Sequence, residues 1–334
     1  MKRLPLAFVL SLLALPLHAA DRDARAWLER MSEAFATGNY DGRFFYLRDS
    51  RSQTMRIIHR VHRGKVTERI LSLDGSGREV IRDETEVTYY LPDKRLVLVE
   101  QRTDDSALPA LPIYNADLEQ HYNIERGPVG KANLRKTQLI LVQPRDQYRY
   151  GYKLWLDYET AMPLKSQLVD RNGNVIEQML FAELNLRDRI PASELKPSVD
   201  TEGFRWVRQD VQQARITGGA VAWNVVRVPA GFRLTASRVQ VIAGSKDPVR
   251  HLVYSDGLAS VSVFIEPRPS SAEPMQGLAK VGAAFAFSRD VDGHRVIAVG
   301  EVPAATVEAI ATGVTKEVAT QAAPAQAFGP APTR

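Results

Sequence analysis

The chain has no cysteine among its 334 residues. That excludes disulfides, thiolate nucleophiles, Cys-ligated zinc, iron–sulfur clusters and the lipidated cysteine of an exported lipoprotein, so the fold must rest on a hydrophobic core. Long apolar runs are scarce as well. The one at the N-terminus, from Leu4 to Leu17, is shorter than the roughly 20 residues of a spanning helix and contains Pro5 and Pro16. A strong charge of one sign is also missing. The formal net charge is +5, too little to indicate a nucleic-acid partner. Acids and bases balance from Asp21 to Leu195, so the basic excess of the mature chain lies beyond that point and mildly favours an acidic partner there.

What is present suffices for one large or two ordinary domains: 44% hydrophobic and 25% charged residues. Lys2 and Arg3, the apolar run, then Ala19-Ala20 before Asp21-Arg22-Asp23 form a secretory signal peptide over residues 1–20. The expected mature protein is soluble and exported to a bacterial periplasm.

In Asp23 to Ala36, Trp27, Leu28, Met31 and Phe35 fall at helical spacing, and Gly38-Asn39 ends the helix. The period then changes to two. Gln53–His62 places Met55, Ile57, His59 and Val61 on one face and Arg56, Ile58, Arg60 and His62 on the other. Short strands follow at 66–73, 78–82, 86–91 and 95–100, separated by turn residues too few for parallel crossovers, so they predict an antiparallel meander. Residues 104–112 read as a loop, and Asn115 caps a short helix to about Tyr122. Strands resume at 136–142, 148–157, 164–169 and 175–184, the last two joined by the hairpin signal Asp170-Arg171-Asn172-Gly173-Asn174. In 137–142 both faces are apolar, Leu139 and Leu141 opposing Ile140 and Val142. The Pro-bearing stretch near Pro191 and Pro197 reads as a domain boundary. Beyond it, strands are expected at 220–226, 232–241, 250–255, 259–266, 282–289 and 294–300, then a helix from Ala304 to about Val318 opened by Pro303. The Ala/Pro/Gln-rich end, 319–334, is expected to be disordered.

The fold class is therefore mainly β with peripheral helices. Its parts are residues 1–20 (signal), 21–190 (first domain), 191–203 (linker), 204–318 (second domain) and 319–334 (tail).

No motif for catalysis, metal or cofactor emerges. His59 and His62 stand three apart on a strand and point to opposite faces, which does not build a metal site. Gly75-Ser76-Gly77 lies between two strands, whereas a hydrolase elbow needs Gly-x-Ser-x-Gly between strand and helix. Asp83, Glu84 and Glu86 lack the alternation of a calcium loop. The most biased surface is 43–69, with eight basic residues against Asp49 and Glu68. On a ribbon, Arg56 and Arg60 form a basic stripe, read either as edge protection or as contact with anionic lipid.

Tyr40-Asp41-Gly42-Arg43-Phe44 at the entry to the sheet, the run from His251 to Glu266 (HLVYSDGLASVSVFIE) and Gly300-Glu301-Val302-Pro303 before the last helix together resemble the MucB/RseB family of periplasmic sigma-factor regulators. The resemblance spans nearly the whole mature chain. It implies a first domain with a LolA/LppX-like open, curved antiparallel sheet, a half-barrel closed by helices, that senses lipid. It also implies a smaller mixed antiparallel β domain with a C-terminal helix that contacts the periplasmic segment of an inner-membrane anti-sigma factor (MucA/RseA-like). Binding would shield that segment from proteolysis, and lipid or lipopolysaccharide would release it. The resemblance carries no catalytic residue. Leu139, Leu141, Tyr150, Tyr152, Met179 and Phe181 are the lipid-cavity candidates, with core packing as the other reading. His251, Tyr254, Asp256 and Phe264 are the partner-binding candidates. A homo-oligomer and a LolA-like lipid or lipoprotein carrier stay open as alternatives.

Overall fold

The computed structural model describes residues 17–48, 51–101, 111–112, 114–115, 117–209, 223–240, 247–268 and 276–316. Most of the expected signal peptide, nearly all of the 104–112 loop and the 319–334 tail lie outside these residues. The chain divides into two compact units, Met1–Asp210 and Val211–Arg334. No helix among the described residues is long and apolar enough to cross a membrane.

The first unit opens with α1 (Leu17–Thr37), longer at its start than the periodicity from Asp23 suggests. The meander follows: β1 (Tyr40–Arg48), β2 (Arg51–His62), β3 (Lys65–Ser72), β4 (Glu79–Arg82), β5 (Glu86–Leu91) and β6 (Leu96–Gln101). The short α2 (Leu118–His121) has Asp117, not the expected Asn115, at its N-cap, while Asn115 Oδ1 accepts the Leu118 N–H at 3.1 Å from the preceding turn. Then come β7 (Tyr122–Ala132), β8 (Arg135–Pro144), β9 (Gly151–Asp157), β10 (Pro163–Val169), β11 (Val175–Leu186) and β12 (Arg205–Gln209). They form one open sheet in the order β12-β6-β5-β4-β3-β2-β1-β11-β10-β9-β8-β7. The predicted open, mainly antiparallel sheet is what the chain builds.

Two elements differ from the sequence reading. Strand β7 is not legible from alternation because Gly127, Pro128 and Gly130 interrupt it; the sheet accommodates them with a register shift between Arg126 and Val129 on its edge strand, where proline is tolerated. Residues 191–203 do not link the domains, and residues 204–209 belong to the first unit and not the second. Ala192–Leu195 forms a 3₁₀ turn whose Leu195 packs with Ile190 and Ile58, and β12 pairs parallel to β6. The boundary thus falls near Asp210, because a neighbouring strand captures a segment whose prolines read as a linker.

Register divides the sheet into two faces. Tyr40, Phe44, Ile57, Ile70, Met179 and Phe181 share the face on which Ala34 and Phe35 of α1 pack, here the helix face. Ile140, Val142, Leu154 and Leu164 continue it. Burying these side chains, at roughly 1.5–3 kcal/mol each, supplies the main drive for this unit.

In the second unit, β14 (Arg233–Gln240), β15 (Val249–Ser255), β16 (Ser260–Pro267), β17 (Gly277–Val281), β18 (Ala284–Val291) and β19 (His294–Gly300) form an antiparallel sheet in the order β14-β15-β16-β19-β18-β17. α3 (Ala304–Gly313) packs Val307, Ile310 and Ala311 against Leu252, Val261, Val263 and Val296. The helix ends earlier than expected. Val314–Lys316 turns into β20 and pairs with β13 (Trp223–Val225), a change that fits the β-branched Val314-Thr315.

Candidate functional site

The six cavity candidates do not share one surface. Met179 and Phe181 lie on the helix face, buried against Tyr40 and Phe44, with the Phe44 and Phe181 rings 5.5 Å apart. Tyr152 stands opposite Leu168 and Val142 on that face, and Tyr150 is buried just before β9. Leu139 and Leu141 pair instead with Trp155 and Lys153, so they point to the opposite face and are half-buried. A lining that combines all six is therefore corrected. Strand parity places neighbouring Ile140 and Val142 under the helices and their alternates outside.

A cavity of about 280 Å³ opens beside the C-terminal end of α1, lined by Ala34, Thr37, Gly38, Thr160, Met162 and Asp188 among others. Its floor adjoins Met162 of the helix-face core. Next to it, His59 ties the end of α1 to the sheet: its Nδ1 lies 2.7 Å from the Gly38 carbonyl and its ring stacks on Tyr40 at 4.6 Å. His59 Nε2 faces Glu68 Oε1 at 3.5 Å, and Arg82 holds Glu68 Oε2 at 2.5 Å. Burial pulls the His59 imidazole below its ordinary pKa against the opposing pull of Glu68. Burial also raises the Tyr40 phenol, with Glu68 adding to it. This network is buried and joins strands to helix. Among the described residues no group of His, Asp and Glu side chains is placed to hold a metal ion.

The basic stripe is partly spent. Arg56 donates to both oxygens of Asp41 at 2.8 and 2.6 Å and lies 3.8 Å from Glu194. The bond to Asp41 raises its pKa further, so its charge is matched within the fold. Arg60 lies on the same face, opposite Thr67 and half-exposed. Farther along, Arg69 and Glu79 form a buried pair at 2.9 Å, and Glu79 also receives the Ser198 N–H and hydroxyl.

In the second unit the four candidates again separate. Tyr254 belongs to the core. The carboxylate of Asp256 accepts the N–H groups of Leu258 and Ala259 at 2.9 and 2.7 Å and so shapes the β15–β16 turn. His251 and Phe264 are cross-strand partners whose rings stack at 4.4 Å on the face away from α3. Val253 and Ile297 extend that half-buried face.

The sequence reading passed over the outer side of the first sheet. Phe45 and Leu47 are exposed there, and Trp155 lies in the same cross-strand row as Phe45. The signal was the alternation of β1 itself, with apolar residues at both parities.

These features define a class: a two-unit β-sheet protein whose buried polar groups hold sheets and segments together and whose remaining assets are sheet surfaces. The chain belongs to the MucB/RseB family, residues 23–199 matching the MucB/RseB N-terminal domain and residues 217–315 the C-terminal domain. It is 33% identical to the sigma factor AlgU regulatory protein MucB of Pseudomonas aeruginosa over 316 residues, 93% of this chain and 96% of that protein. It is 25% identical to the sigma-E factor regulatory protein RseB of Haemophilus influenzae, with 93% and 98% covered. A solved Pseudomonas aeruginosa MucA/MucB complex aligns with a TM-score of 0.71 at 32% identity, covering 89% of this chain and all of the matched one.

Proposed function

We propose that this protein is a periplasmic negative regulator of an envelope-stress sigma factor, which binds the periplasmic segment of a MucA/RseA-like anti-sigma factor and shields it from regulated proteolysis. The observation that carries this reading is the match of both units, in order and over nearly full length, to a family whose MucB member has been solved with MucA. A lipid carrier built on the first unit alone would leave the second without a role. Shielding needs only binding free energy, since occupancy of the uncleaved segment lowers its accessible fraction by mass action. Release by lipid or lipopolysaccharide requires that lipid and segment weaken one another's binding by the same factor.

The stacked His251–Phe264 surface of the second unit is the assigned contact for the segment, because Tyr254 and Asp256 are already committed to core and turn. The helix face near Tyr150 and Tyr152 is the assigned lipid side. The test combines the purified chain, the anti-sigma periplasmic segment and its site-1 protease. Cleavage is expected to slow when the chain is added and to recover with lipopolysaccharide. Unchanged cleavage in its presence overturns the regulator reading, and protection that lipopolysaccharide fails to relieve overturns the lipid step.

A further inference from the structure

The 187–199 segment covers the outer side of the first sheet over β2–β4, where Ile190 and Leu195 meet Ile58 and Leu71 and where Ser198 bonds to Glu79. Past β1 the same side stays accessible and changes character. Phe45 pairs with Leu180, Leu180 with Lys165, Lys165 with Trp155 and Trp155 with Leu139. This row crosses five strands, roughly 19 Å at the usual strand spacing. A parallel row holds Leu47, Gln178, Gln167, Lys153 and Leu141. Phe45 is 44% exposed and Leu47 36%, while the others stay partly accessible.

Two cations sit in this apolar field. Lys165 places its Nζ 4.4 Å over the Trp155 ring, and Lys153 stands one residue pair along on the neighbouring strand. Neither makes an ion pair among the described residues. Burial of Lys165, together with repulsion from Lys153, lowers its pKa. The acids nearby are Glu183, paired to Arg43 at 3.3 Å, Asp157, two residues past Trp155 and paired to Arg135 at 2.9 Å, and Glu125 at the exposed edge beside Leu141.

We propose that this face docks the protein on an anionic phospholipid bilayer, with Phe45, Leu47, Trp155 and Leu139 entering the interface while Lys153 and Lys165 meet the phosphates. The chemistry matches on both counts. Aromatic and aliphatic side chains with lysines whose stems lie along them are suited to a boundary that is apolar below and anionic above. An extended array of phosphates supplies the counter-charge that the sheet itself does not. The inference is independent of anti-sigma binding, since its test contains no such segment.

The test is co-sedimentation of the full mature chain with vesicles of phosphatidylglycerol and phosphatidylcholine, against phosphatidylcholine alone. Partition is expected on the anionic vesicles and to weaken with salt. Lys153→Ala with Lys165→Ala should weaken it about 30-fold, the loss expected for two lysine contacts with an anionic surface. Trp155→Ala should weaken it at every salt concentration. If that variant misfolds by circular dichroism, the lysine pair, which makes no ion pair among the described residues, carries the test. Equal binding to both vesicle types, or unchanged binding of the double lysine variant, overturns the proposal. So does a concentration-dependent dimer that Phe45→Asp dissolves, which would assign the face to a second copy of the chain.

Discussion

Glu79→Ala probes how residues 187–199 are held on the sheet. Glu79 accepts two bonds from Arg69, at Nε and Nη2 and both 2.9 Å, and the Ser198 N–H at 3.1 Å, along with the Ser198 hydroxyl. Both charged side chains are buried. Removing the carboxylate leaves Arg69 with the Glu194 carbonyl at 3.0 Å as its other acceptor and leaves the Ser198 donors without theirs. Breaking a buried pair from one side costs about 3–5 kcal/mol. Replacing both partners by apolar side chains, Arg69→Met with Glu79→Leu, is expected to restore most of that, because the penalty belongs to the stranded charge. Ser198→Ala should cost less, about 1.5–3 kcal/mol, the range for one hydrogen bond to a charged group. Hydrogen exchange followed by mass spectrometry separates the two units: peptides from β3 and β4 should lose protection by about 10²-fold or more in Glu79→Ala, while β15 and β16 keep theirs. A loss below about 1 kcal/mol in Glu79→Ala, or a double variant as unstable as the sum of the singles, refutes the reasoning.

Two further outcomes follow from the helix face. Gly42→Ala would place a Cβ 2.5 Å from Phe181 Cε1 and 3.1 Å from the Glu183 carbonyl oxygen, and such overpacking should cost about 1–3 kcal/mol; a calorimetric Tm equal to the parent would contradict the packing at Phe181. His59 titrates below its ordinary value because it is buried, so the unfolded chain binds the proton more readily. The stability it contributes is fully present above about pH 6.5 and is lost as pH falls through the lower folded value. The slope is at most about 1.4 kcal/mol per pH unit, and His59→Gln should flatten it in urea titrations; an unchanged slope would remove His59 from the pH dependence.

Much of the sheet was legible because its strands are short, alternate with period two and are separated by turn residues that work as turns. The Asp170 carboxylate, for example, accepts the N–H groups of Asn172 and Asn174 at 2.9 and 2.8 Å. What was not legible had a conflicting local signal. Pro128 and two nearby glycines hide β7, and Pro191 and Pro197 make residues 191–203 look like a tether although Leu195 is buried and β12, just beyond them, joins the sheet. The site candidates were legible as residue types and unassigned as to place. Tyr254 and Asp256 carry the same sequence signal as His251 and Phe264, yet one fills a core and the other closes a turn.

The sequence alone determined the absence of thiol chemistry, the β-rich class, the presence of two cores and the family resemblance, since composition, local period and turn chemistry act over a few residues. The tertiary structure decided which face of each strand is covered, because alternation yields two faces and only the strands, helices and segments packed nearby make one of them interior. That decision sends Met179 and Phe181 under α1, turns Leu139 and Leu141 outward beside Trp155, and spends Arg56 on Asp41 while Lys153 and Lys165 make no ion pair among the described residues.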